Sequence, residues 1–255
     1  MATPRPAALA LGVAGFIAFF AVWQLAAWRL ANPVLLPGPA AMFSALGALL
    51  ADGRLWGDVG SSLERVLVGF FIASVAAVPL ALALAASGML RAILLPIVTF
   101  LRPIPPIAWI PLAILWFGIG DHPSYFITAI ASFFPIFINT YSGATAVEAD
   151  HLNAARCLGA GRWALLLRVF LPSALPAVWT GLRIGLGQAW MAVVTAELIA
   201  AQSGLGYLIQ LSRLNLDTDV VIVGMCVIGA IGACMTGILS YAERWVLPWR
   251  TRHDA

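Results

Sequence analysis

Residues 62–86 read SLERVLVGFFIASVAAVPLALALAA. After Glu64 and Arg65 no charged side chain appears until Arg91. About 20 apolar residues, rising 1.5 Å each in a helix, cross the roughly 30 Å hydrocarbon core of a bilayer. The stretch therefore reads as a membrane-spanning helix. In lipid only a helix or a closed barrel satisfies every backbone polar group, and the run lacks the strict alternation of a barrel strand.

Working outward, the same pattern recurs. Apolar runs cover about Ala8 to Leu30, Ala92 to Phe117, Ser124 to Thr145, Ala174 to Ala201 and Val220 to Val246. The third span, 92–117, is interrupted by Pro103, Pro105 and Pro106. The composition agrees: 62% of the 255 residues are hydrophobic, 10% are charged and the mean hydropathy is +0.96. A soluble domain carries about 25% charged residues. The fold class expected is all-α, a polytopic transmembrane bundle of six spans, and the chain is expected to be multi-pass in the lipid bilayer.

Arg5 followed by the apolar run Ala7 to Trp28 could pass for a signal peptide. The run exceeds the about 7–15 residues of a signal core and lacks a small-x-small cleavage site, so it reads as an uncleaved first span. Between the spans lie a Pro-rich stretch (Asn32 to Pro39), a short amphipathic helix (Ala40 to Leu50) and a tight turn (Ser87 to Arg91). A loop follows at Gly118 to Pro123, then the longest polar stretch, Glu148 to Arg168, and a second loop, Gln202 to Asp219, holding the apolar piece Leu205 to Leu211.

Placing the N-terminus in the cytoplasm puts Arg5, Arg91, Arg156, Arg162, Arg168, Arg244, Arg250 and Arg252 inside. Arg29, Arg54, Arg65 and Arg213 then lie outside, offset by Asp52, Asp58, Asp121, Asp217 and Asp219. This bias follows the positive-inside rule and predicts both termini cytoplasmic.

All 14 basic residues are arginine. A P-loop needs a lysine on the nucleotide phosphates, so the chain is not its own P-loop ATPase, and lysine Schiff-base chemistry is excluded. The net charge of +3 gives no footprint for nucleic acid. Cys157, Cys226 and Cys234 show no pairing or metal spacing and read as packing residues. His122, His151 and His253 are scattered. No metal or nucleophile motif is present, and no enzyme activity is expected.

The polar stretch reads as two short helices. In 148–158, Leu152, Ala155 and Leu158 share one stripe, and Gly159 is placed to end the helix at positive φ. In 161–171, Trp163, Leu166, Leu167 and Phe170 lie on one side with Arg162 and Arg168 more exposed, and Pro172 stands as the stop. Such helices can lie on the lipid interface or cap their own bundle.

Here a pattern emerges. Ala154-Ala155-Arg156-Cys157-Leu158-Gly159, then Phe170-Leu171-Pro172, resembles the EAA loop of bacterial ABC import permeases. Residues 101–120 (LRPIPPIAWIPLAILWFGIG), 133–140 (FFPIFINT), 181–187 (GLRIGLG), 196–200 (AELIA) and 203–209 (SGLGYLI) are similar, in the same order, to the nitrate/sulfonate/taurine/bicarbonate permease subfamily. The resemblance covers about Leu36 to Trp249. It implies a type I importer permease fold in the bacterial cytoplasmic membrane, with a first helix and outer segment (1–58), a core permease domain (59–247) carrying a cytoplasmic coupling loop (148–172), and a cytoplasmic tail (248–255). It implies as partners a second copy of the chain, two cytoplasmic P-loop ATPase subunits and an external solute-binding protein. No cofactor is expected in this chain, ATP and Mg lying on the ATPase. The coupling residues it implies are Asn153, Ala154, Ala155, Arg156, Leu158, Gly159, Arg162 and Pro172. Asn153 stands where the family has Glu, so the charge at that point is lost while hydrogen bonding remains. The implied substrate is a small anion: an aliphatic sulfonate such as taurine, or nitrate or bicarbonate.

Ionisable residues within spans are costly and mark function by default. Arg102 and Arg183 fall about ten and nine residues into their spans, roughly 13–15 Å deep at ~1.5 Å per residue. Arg183, Gly187, Trp190, Val194 and Glu197 form one helical stripe. Two readings stand. Arg102, Trp109, Arg183, Gly187, Trp190 and Glu197 line a cationic pathway for an oxyanion, which the arginine fork suits; or the charges pair internally and the tryptophans pack. Gly204 to Tyr207 reads as an outer-face turn or part of a gate. The competing functional class is a self-contained secondary carrier or channel for a small anion, but no internal repeat is visible and Glu197 is the one acid well inside a span. An intramembrane enzyme would need paired aspartates, HExxH or a Ser–His pair, none of which the spans carry.

Overall fold

A computed structural model describes residues 6–147, 155 and 157–246. Among these, all regular structure is helical. The helices are α1 (Pro6–Leu30), α2 (Pro39–Ala51), α3 (Arg54–Ala86), α4 (Gly88–Leu101), α5 (Ile110–Phe117, led in by a 3-10 turn at Pro106–Trp109) and α6 (Asp121–Thr145). After the polar stretch come α7 (Arg162–Leu165), a π-turn (Leu166–Phe170), α8 (Leu171–Ala200), α9 (Leu205–Asn215) and α10 (Thr218–Val246).

Five segments are long and apolar enough to span a bilayer: Leu11–Leu30, Arg54–Ala86, Asp121–Thr145, Arg168–Ala200 and Thr218–Val246. The sixth span is broken. α4 and the segment Pro106–Phe117 meet at 92°, because Pro103, Pro105 and Pro106 supply no N–H to continue a helical ladder. The backbone at the break turns through Ile104 N–H donating to Leu101 O (3.1 Å) and Ala108 N–H donating to Pro105 O (2.9 Å).

The core is built by α3, α6 and α8. Small residues let these helices approach closely, the packing device available where lipid removes the hydrophobic drive between helices. A methyl group on Gly69 of α3 would fall 2.6 Å from Thr128 Cβ and 2.9 Å from Tyr125 O on α6. One on Gly185 of α8 would fall 2.8 Å from Ile136 Cγ1 and 3.2 Å from Ser132 O. Around these contacts Ala77, Ala81, Leu84, Ile136 and Phe137 are fully buried. α10 packs on α8, α9 and α2. α1 docks on the periphery, where Trp23 Nε1 donates to Pro37 O (3.0 Å), and its outward residues, Phe16 and Trp28 among them, are exposed. Outward apolar side chains such as Phe71 and Leu115 are what a lipid-facing surface requires.

Three sequence expectations change. α3 begins at Arg54, eight residues before the expected Ser62, and Arg65, expected at the outer end of the span, is 3% exposed within it. The turn expected over Ser87 to Arg91 shrinks to Ser87, whose Oγ accepts from Leu90 N–H (3.4 Å) as the cap of α4. Pro172 does not stop a helix. It sits in the first turn of α8, where its missing N–H costs nothing and its φ suits the start of a helix.

Candidate functional site

Asp58, Ser62 and Arg65 recur at i, i+4, i+7 and so share one face of α3. That face meets the end of α8 and the start of α9. Arg65 Nη1 donates to Glu197 Oε1 (2.6 Å) and Ser203 O (2.7 Å), Nη2 to Asp121 Oδ1 (2.6 Å) and Ser203 Oγ (2.6 Å), and Nε to Asp121 Oδ1 (2.9 Å). All five guanidinium N–H groups are thereby used. Glu197, 1% exposed, also accepts from Ser62 Oγ (2.9 Å) and Gly206 N–H (2.9 Å). Asp58 Oδ1 accepts from Gly204 N–H and Ser62 Oγ from Leu205 N–H, each at 2.9 Å. Gly204 has φ +104, and a side chain there would run into the Glu197 carboxylate and the Arg65 guanidinium. The expected Gly204–Tyr207 turn is thus the end of a buried polar clasp, with Gly204 capping α9.

The stripe on α8 faces inward. Arg183 Nη1 pairs with Glu243 Oε2 of α10 (3.1 Å). Trp190 Nε1 donates to Ile228 O (3.0 Å) and Trp179 Nε1 to Leu239 O (3.2 Å), so three side chains tie α8 to α10. Gly187 has open space around it. Trp109 stacks edge-on against Phe126 (6.4 Å) and packs on the Ile110, Ala113, Ile127 cluster, with its Nε1 buried and unpartnered. Arg183, Trp190 and Glu197 are thus held by partners within the chain.

The neighbouring face of α8, through Ile184, Gln188, Met191 and Thr195, borders two cavities. One of about 350 Å³ is lined by Arg102, Phe134, Asn139, Ile184 and Gln188. The other, about 230 Å³, shares Pro106 and Gln188 and adds Ile107, Met191 and Thr195. Arg102, at the broken span, makes no hydrogen bond or ion pair to a described residue, unlike Arg65 and Arg183. Sequence reasoning missed Arg65, Asp121, Asn139 and Gln188. The 58/62/65 spacing was a usable signal for the first; neutral amides leave none.

Asn153, Ala154 and Arg156 lie outside the described residues, and Arg162 contributes only its backbone as the start of α7. Ala155 is helical, and Ala160 N–H donates to Ala155 O (3.0 Å) to close the turn. Gly159 has φ +78, as expected of a helix-ending glycine. Leu158 beside it is 88% exposed. Arg168 is exposed, while Phe170 is buried with Leu82, Ala144, Ala174 and Val178. The turn is therefore fastened to the core by Phe170 and presents Leu158 outward.

Among the described residues no group of three or more His, Cys, Asp or Glu side chains is placed to hold a metal ion. Residues 69–248 match the family described as "Binding-protein-dependent transport system inner membrane component". A probable ABC transporter permease protein of Brucella abortus is 39% identical over 97% of this chain and 98% of its own. The taurine transport system permease protein TauC of Escherichia coli is 38% identical over 89% and 84% respectively. The MetNI methionine ABC transporter, solved in inward-facing conformations, has a chain sharing the fold at a TM-score of 0.55 and 19% identity, over 74% of this chain and 96% of that one. The chain belongs to the binding-protein-dependent inner membrane component family, the multi-pass permease subunits of ABC importers.

Proposed function

We propose that this chain, paired with a second copy, forms the translocation pathway for a small organic anion and is driven by two separate P-loop ATPase subunits that dock on the turn at residues 153–162. Both termini face the cytoplasm of a bacterial cell, and an external solute-binding protein delivers the substrate. ATP and Mg sit on the ATPase, since this chain has no lysine to hold the nucleotide phosphates.

The observation that carries the reading is the exposed Leu158–Gly159 turn, joined through α7 and the π-turn to α8. α8 packs on α3, α6, α9 and α10, so a subunit seated on the turn would hold the helix that contacts most of the core. The likeness to TauC, a taurine transport permease, supports a sulfonate, and Arg102, beside a cavity and without a side-chain partner among the described residues, supports an oxyanion generally.

The test is reconstitution in liposomes with the ATPase and the binding protein, following labelled taurine. Uptake that requires both ATP and the ATPase supports the reading. Uptake with no ATPase present would instead make the chain a self-contained carrier.

A further inference from the structure

We infer that Arg102, Asn139 and Gln188 form a subsite for the oxyanion headgroup of a small organic anion, a sulfonate or a carboxylate, midway through the span. The inference rests on the importer reading for its place in transport, but the geometry stands on its own.

Arg65 is neutralised within the chain by Glu197 and Asp121, and Arg183 by Glu243. The Arg102 side chain has no hydrogen-bond or ion-pair partner among the described residues and borders the cavity of about 350 Å³. An unpaired guanidinium in an apolar span is costly unless a counter-charge or water reaches it. The chain supplies no carboxylate there: the described lining residues hold no Asp or Glu.

The other polar side chains on the cavity are both amides. Asn139 spends one N–H on Pro135 O (2.8 Å), which leaves its second N–H and its carbonyl oxygen. Gln188 makes no side-chain hydrogen bond to the described residues. One fork of donors and two neutral amides form a donor-rich, net-positive lining. That lining suits a trigonal or tetrahedral oxyanion and repels a cation. The remaining walls, Ile104, Ile130, Phe134, Ile138 and Ile184, are apolar and match a short hydrocarbon tail. The volume lies at the small end of ligand pockets, roughly 300–1,000 Å³.

The position also fits. Arg102 follows the 14 residues of α4, about 21 Å from the start of that helix at ~1.5 Å per residue, well inside a ~30 Å core. The 92° break at Arg102 turns the chain aside there, so the guanidinium flanks an opening instead of a helix groove. The site uses the face of α8 beside the Arg183–Trp190–Glu197 stripe, one residue round the helix.

The permease–ATPase complex is purified without its binding protein, and its melting temperature is followed against methanesulfonate, sodium acetate and tetramethylammonium chloride. A saturable rise with either oxyanion, absent with tetramethylammonium chloride, is expected of the wild type. Arg102→Gln and Gln188→Leu should each raise the half-saturating concentration about tenfold, the order expected for losing one charge-assisted or neutral hydrogen bond. Arg102→Lys should fall between, and Arg29→Gln, which removes an equal charge elsewhere, should titrate as the wild type. If Arg102→Gln does not assemble, Gln188→Leu decides. No saturable rise in the wild type, or variants that titrate like it, would overturn the subsite. ATP-driven uptake by the wild type is measured separately, so loss of the subsite leaves the importer standing, and absence of uptake removes the importer without touching the binding result.

Discussion

Arg65 Nη1 lies 2.6 Å from Glu197 Oε1, joining α3 to α8 across 132 residues of sequence. Both side chains are buried, and every guanidinium N–H is satisfied. Removing Arg65 strands the buried Glu197 carboxylate, whereas removing Glu197 leaves Arg65 its bonds to Asp121 and Ser203. Arg65→Leu should therefore destabilise the protein by about 3–5 kcal/mol and Glu197→Ala by less, while the double variant Arg65→Leu/Glu197→Leu should lose less than the sum of its singles. Thermal unfolding of the detergent-purified complex measures the cycle. Additive losses would show that the two side chains do not interact.

Arg183 and Glu243 present a contrasting pair. Arg183 is about a third exposed at its side chain, and pairs of that kind contribute within about 1 kcal/mol. Arg183→Gln is expected to leave the melting temperature nearly unchanged. A strong fall in uptake with stability intact would then assign Arg183 to the pathway, and unchanged uptake would leave it a helix tie.

Close approach between α8 and α6 gives a third expectation. Gly185→Val places branched methyls against Ile136 and the Ser132 carbonyl, and overpacking of this sort costs about 1–3 kcal/mol. Gly187→Ala, with nothing within 4 Å of the added carbon, should be neutral. Expression level and melting temperature distinguish the two.

All three cysteines are exposed: Cys157 lies beside the Gly159 turn, whereas Cys226 and Cys234 lie on the apolar surface of α10, where lipid would cover them. A membrane-impermeant maleimide should label Cys157 only when the cytoplasmic face is open to it, as in inverted vesicles. It should leave Cys226 and Cys234 unreacted in either orientation. Labelling of Cys157 in intact cells would reverse the proposed orientation and remove the coupling role with it.

Most of the architecture was written in composition and run length. A span announces itself because about 20 residues must all be apolar, and prolines 103, 105 and 106 marked where one would break. Gly159 was legible for the same local reason: a helix end at positive φ favours the residue without a Cβ. Of the clasp only the shared face of Asp58, Ser62 and Arg65 was legible, from their spacing; that Arg65 meets Glu197 is set by tertiary packing across 132 residues. Nothing in the sequence identifies the partners of Arg183 and Glu197, because Glu243 on α10 and Arg65 on α3 reach them only through tertiary packing. Pro172 misled for a different reason: proline ends a helix and begins one with the same ring, and only the position relative to the first turn decides which.

From Leu166 to Ala200 the helical trajectory carries no loop, the π-turn passing directly into α8. A linkage without slack cannot absorb a shove at one end. Whatever tilts the Gly159 turn must either swing the far tip, where Glu197 grips Arg65, or tear that grip, so the ease of breaking one buried ion pair sets how far a small displacement on the motor side can travel.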